Sequence, residues 1–65
     1  MYPNIEGERA KRKMSNEQLA SYLNITRKTL YSWLKFGTVP NEAICKMAKL
    51  FNCSPDFLSE YINEK

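Results

Sequence analysis

Proton transfer and metal binding rely on a few residue types, and this sequence is poor in them. It has no histidine, so acid–base catalysis would need paired carboxylates or an activated cysteine. Glu6 and Glu8 do not share a helix face, and neither Cys45 nor Cys53 has a base near it in sequence. Two cysteines without histidine do not make a zinc site, which takes four Cys or His ligands. No enzyme, metal site or cofactor is expected. What the chain offers instead is positive charge, ten Lys and Arg against seven Asp and Glu. Arg9, Lys11, Arg12, Lys13, Arg27, Lys28 and Lys35 stand against Glu6, Glu8 and Glu17 in residues 1–35, a balance of +4, whereas residues 36–65 carry −1. A basic half is the footprint expected of a polyanion binder. The same count also fits a solvated charged face, so the spacing has to decide.

The elements that position these charges are short helices. A chain of 65 residues allows one domain, residues 1–65, which buries only about 60% of its unfolded surface and leaves little material for a deep cleft. Ile5 to Lys13 reads as a first helix, capped by Asn4, with Ile5 and Arg9 on one face. Gly7 inside it is a poor helix former, for which close packing would be one reason. Ser15 with Gln18 makes a capping box for a second helix, whose stripe is Leu19, Ala20 and Leu23 and whose stop is Asn24. Thr26 caps a third helix, Arg27 to Lys35, with Leu30, Trp33 and Leu34 turned to the core. Phe36 to Pro40 breaks helicity. Asn41 to Phe51 is a fourth helix, built on Ile44, Met47, Ala48 and Phe51, in which Cys45 reads as a small buried hydrophobe. After the Asn52-Cys53 turn, Ser54-Pro55-Asp56 opens a fifth, which offers Phe57, Leu58 and Tyr61 to the core, and the tail Asn63-Glu64-Lys65 frays. Met14 and Trp33 also read as core. The fold class is all-α, a compact bundle of five short helices.

Two short helices crossing at a steep angle need a small residue at the crossing, a turn residue at ease at positive φ, and apolar residues on both sides. Ala20, Asn24 and the set Leu19, Leu23, Ile25, Leu30 and Trp33 meet those needs in order. The run from Met14 to Trp33 resembles the core of Cro/CI-type (XRE-like) helix-turn-helix domains of phage and bacterial regulators. Arg9, Pro40, Ala48 and Ser54 to Leu58 extend the likeness over nearly the whole chain. Three positions depart from the family pattern. Asn16 stands where Gln is usual, Asn24 where Gly is usual, and Leu34 where a Glu usually pairs with the helix-one Arg. Arg9 therefore either pairs elsewhere or meets a phosphate.

The resemblance implies a lambda-repressor-like DNA-binding fold and a regulator that reads double-stranded operator DNA with its third helix in the major groove. It places Arg27, Lys28, Thr29 and Ser32 at the bases, and Ser15, Asn16, Tyr31, Lys35 and Thr38 at phosphates. Arg27 and Lys28 at a helix N-terminus oppose the helix dipole, and a phosphate or a guanine would compensate. Lys11, Arg12 and Lys13 suit a helix C-terminus and need no DNA. Partners implied are the operator, a weak homodimer forming on DNA, or, in an alternative protein-docking role, another repressor met through Phe36, Val39, Phe57, Leu58, Tyr61 and Ile62. No signal peptide and no membrane segment is seen, which suits the cytoplasm. The initial Met and charged tail point to a complete chain rather than a trimmed domain.

Overall fold

A proline at the first position of a helix leaves nothing unsatisfied, because its missing N–H is one that no helical carbonyl would accept. In the computed structural model, which describes residues 1–63, this sets the start of α1 (Pro3–Lys11) and of α5 (Pro55–Ser59). Between them run α2 (Asn16–Tyr22), α3 (Arg27–Phe36) and α4 (Asn41–Phe51). The described residues are thus all-α, with five helices in the order expected. The boundaries of α4 match the sequence pattern, α3 runs one residue further than Lys35 because the left-handed stop is Gly37 and not Phe36, and α1 differs. It begins at Pro3 rather than Ile5 and ends at Lys11 rather than Lys13. Asn4 lies inside it and is not its cap. The Asn4 Nδ2 instead donates to the Phe57 carbonyl, 2.7 Å away, tying α1 to α5. The expected fraying of Glu64 and Lys65 lies outside the described residues.

Helices α1 to α4 stop in one way. Lys13, Asn24, Gly37 and Asn52 take φ of 54°, 59°, 70° and 55°. The residue after each donates its N–H back to the last turn: Met14 to Arg9, Ile25 to Ala20, Thr38 to Trp33 and Cys53 to Ala48, at 3.0–3.1 Å. This is the Schellman arrangement, which satisfies carbonyls that the helix itself leaves open. At the other ends the Ser15, Thr26 and Ser54 hydroxyls accept the N–H of Gln18, Thr29 and Phe57. The Ser15–Gln18 box is complete, with the Ser15 N–H donating to Gln18 Oε1 at 2.8 Å.

These stops fold the helices around one cluster of Ile5, Leu19, Leu30, Met47, Phe51 and Leu58, all essentially buried. Ala20, 2% exposed, sits where α2 meets α3, and a larger side chain there would force the helices apart. Two expectations about the core are corrected. Cys45 is exposed, because the inward face of α4 is taken by Ala43, Ile44, Met47, Ala48 and Phe51. Phe57 is 43% exposed, since Leu58 alone fills the inward position of the short α5. Trp33 and Leu34 pack against the core as expected while remaining half-buried, and Trp33 edges a surface groove with Ile25, Pro40 and Lys46. Tyr2, ahead of the expected first helix, is buried. Its ring meets Tyr61 edge-on at 5.0 Å.

Close packing does not account for Gly7, because a Cβ built there meets nothing within 4 Å. Helix α1 therefore carries its glycine mid-helix and a lysine at its left-handed stop. Gly7→Ala should stabilise by roughly 1 kcal/mol, and Lys13→Gly by about 0.5–1 kcal/mol through relief of the αL penalty. Thermal unfolding checks both, at about 4–8 °C per kcal/mol for a domain of this size. Gly37→Ala should do the reverse, since φ is +70° and its Cβ would lie 2.9 Å from the Tyr61 ring.

Candidate nucleic-acid interface

The outer face of α3 is where the sequence concentrates polar side chains away from the core. Leu30 is fully buried, and Trp33 and Leu34 are half-buried beside it. Helical spacing then leaves Arg27, Lys28, Tyr31, Ser32 and Lys35 exposed on the opposite side. Thr29 is half-buried beside the cap. Its Oγ1 accepts the Thr26 hydroxyl at 2.9 Å while its N–H donates to Thr26 Oγ1 at 3.1 Å. That pairing leaves the Thr29 hydroxyl proton to be given outward.

The second group of predicted residues lies at the start of α2, on α3 itself and just past its end. Ser15 is exposed, and its hydroxyl oxygen is engaged as the α2 cap. Asn16, first in α2, encloses its Oδ1 without a hydrogen-bond partner. Thr38 is exposed just past the α3 stop, with its N–H bonded to the Trp33 carbonyl. The Lys35 ammonium lies 5.6 Å from the centre of the Phe36 ring, and Phe36 is 65% exposed.

The basic half of the chain divides into two populations. On α1, Arg9 pairs with Glu6 at 3.1 Å, Lys11 with Glu8 at 3.2 Å and Arg12 with Glu8 at 2.7 Å. Arg9 also donates to the Met14 carbonyl at 2.6 Å, so it pairs elsewhere in place of the usual family Glu and braces the α1 stop. Arg12 reaches across to the Phe51 carbonyl at 2.9 Å and lies over the Phe51 ring at 5.0 Å, which makes it a link from α1 to the end of α4. By contrast, Lys13, Lys46 and Lys49 have no acidic partner among the described residues, and the same holds on α3 of Arg27, Lys28 and Lys35. Two of those three stand in the first turn of α3, where no acid offsets them.

Sequence reasoning missed the residues that hold the far end of α3. The Tyr61 hydroxyl donates to the Lys35 carbonyl at 2.9 Å, and the Val39 N–H donates to the Tyr2 hydroxyl at 3.1 Å. Both partners are remote in sequence, and no periodicity marks them. Among the described residues no group of three or more Cys, Asp or Glu gathers as metal ligands, and no helix is long and apolar enough to cross a membrane. Burial pushes the Cys53 thiol up, so it is a poor nucleophile.

The Arg12 guanidinium, followed by the Lys11 ammonium, holds the Glu8 carboxyl below its ordinary value. A depressed carboxyl contributes stability that is complete above the ordinary carboxylate value and is lost as pH falls through the folded-state value. Glu8→Gln should therefore flatten the fall in melting temperature on acidification from about pH 5 to pH 3. An acid limb as steep as that of the parent protein would contradict this role for Glu8.

A family model described as helix-turn-helix matches residues 5–58. No curated protein and no solved structure matches the chain.

Proposed function

We propose, from the premise that this chain belongs to the helix-turn-helix family of the Cro/CI (XRE) type, that it is a Cro-like or repressor-like transcriptional regulator of phage or bacterial origin. It would read a specific double-stranded operator with α3 in the major groove. The family match supports DNA binding and transcription regulation in general. The observation that carries the finer reading is the contrast in charge. Arg9, Lys11 and Arg12 share the two carboxylates of Glu6 and Glu8, while Arg27, Lys28 and Lys35 stand exposed on one helix without acids. A phosphate backbone or a guanine edge supplies what those cations lack.

In this reading Arg27 and Lys28 donate to guanine O6 and N7, and Arg27 can do so with both arms of its guanidinium. Ser32 and Thr29 donate to base edges beside them. Ser15, Asn16, Tyr31, Lys35 and Thr38 bind phosphates and fix the register. Asn16 would bind a phosphate through its Nδ2 donors, since its buried Oδ1 is an acceptor and has nothing to give a phosphate oxygen. Residues 1–65 act as one DNA-binding domain in the cytoplasm. Two copies would occupy adjacent half-sites about 34 Å apart as a weak dimer formed on the operator. No catalytic chemistry is assigned to any residue.

The exposed Phe36, Ile62 and Phe57 keep a second reading in play, in which the same fold docks on another regulator. Selection of bound sequences from a random duplex pool separates the two. An enriched palindrome supports operator reading, and absence of enrichment with salt-insensitive protein binding favours docking. On the selected duplex, Arg27→Ala should lose about 5- to 150-fold in affinity, the equivalent of 1–3 kcal/mol, and relax preference at one base pair. Lys35→Ala should weaken all sequences alike and lower the salt slope by about one.

A further inference from the structure

α3 meets α2 more extensively than any other helix, and the turn that leads into it is closed by the Ile25 N–H on the Ala20 carbonyl at 3.0 Å. Its far end is held differently. The Tyr61 hydroxyl takes the Lys35 carbonyl at 2.9 Å, one of the last carbonyls, which the helix leaves open. The Tyr61 ring occupies the space that a Cβ on Gly37 would need. Tyr2 packs edge-on against that ring at 5.0 Å and accepts the Val39 N–H at 3.1 Å. The two tyrosines therefore grip the backbone on both sides of the α3 stop. They are in turn tied to each other's segments: the Ile62 N–H donates to the Met1 carbonyl at 2.8 Å, and the Met1 amine donates to the Ile62 carbonyl at 2.6 Å. Neither Tyr2 nor Tyr61 falls within the residues that match the family model, 5–58. The grip is therefore an addition to the matched domain.

We propose that Tyr2 and Tyr61 form a clasp that positions the C-terminal end of α3, and through it Lys35 and Thr38, against the DNA backbone. They are positioning residues that touch no DNA themselves, and their role rests on the assignment of α3 as the reading helix. Freeing the Lys35 carbonyl lets the last turn of α3 and the 36–39 loop swing. The Lys35 ammonium then spreads over a larger volume and its phosphate contact weakens.

The experiment measures duplex affinity at several salt concentrations, on the selected sequence, with every variant shown folded by circular dichroism well below its melting temperature. Tyr61→Phe keeps the ring and removes only the hydroxyl. It is expected to lose about fivefold or more in affinity, the scale of one hydrogen bond, with the salt slope reduced by about one phosphate. Tyr2→Phe, which removes the acceptor on the other side, is expected to lose affinity in the same direction. In a Lys35→Ala background Tyr61→Phe should add less than about twofold, since residues acting through one another are not additive. Asn4→Ala breaks the α1–α5 tie instead and serves as a control for lost stability without lost affinity. Wild-type affinity in folded Tyr61→Phe or Tyr2→Phe, or full additivity with Lys35→Ala, overturns the clasp while leaving DNA reading intact. A parent protein without salt-dependent affinity for any duplex overturns the DNA reading itself, and the clasp with it.

Discussion

Reversal of the chain at positive φ is the constraint on which everything else in this molecule depends. Helices of 5 to 11 residues are too short to persist alone in water, so each must be turned quickly onto a neighbour. Four times the chain does so with a single left-handed residue and a backbone bond reaching back into the last turn. The stop at Asn24 directs α3 across α2, and the stop at Gly37 ends α3 where Tyr61 can lie against it. Were any of the four to relax to an ordinary φ, the helix would run on and the apolar stripes would no longer converge.

The left-handed stops also explain what was legible in the sequence. Asn24, Gly37 and Asn52 are residue types that announce such a conformation, and around them the second, third and fourth helices can be read to within a residue or so. Lys13 announces nothing, and there the first helix is misjudged at its end. Its start is misjudged because Asn4 has the chemistry of a cap while Pro3 has the fixed φ of a first helical residue, and the second property prevailed. The exposed face of α3 follows from spacing alone. Which cations are free does not, since the pairing of Arg9, Lys11 and Arg12 with Glu6 and Glu8 depends on side-chain reach along α1. The tyrosine contacts lie beyond any local pattern, with partners 26 and 37 residues away.

The division of charge gives a physical meaning to a modest net charge of +3. A helix whose acids and bases satisfy each other adds little field beyond its own surface, because opposite charges a few ångströms apart cancel within a Debye length. Arg27, Lys28 and Lys35 share α3 without an acid on that helix, while the other unpaired cationic side chains among the described residues, Lys13, Lys46 and Lys49, lie at the α1 stop and on α4. Three like charges on one helix with no acid among them attract a polyanion more than the same charges paired would, and salt should blunt that attraction before it disturbs the fold.

The clasp has a consequence in time as well as in space. The stops of α1 to α4 are bonds between residues five apart and form as soon as each turn does. The Met1–Ile62 pair closes 61 residues, and loop-closure entropy makes such a contact late to form and early to open. The helices can thus be in place while the end of α3 still wanders. On the proposed reading, a molecule with the core formed and the clasp open would have its charges in place without their final aim, which separates maturation of the fold from competence to read a target.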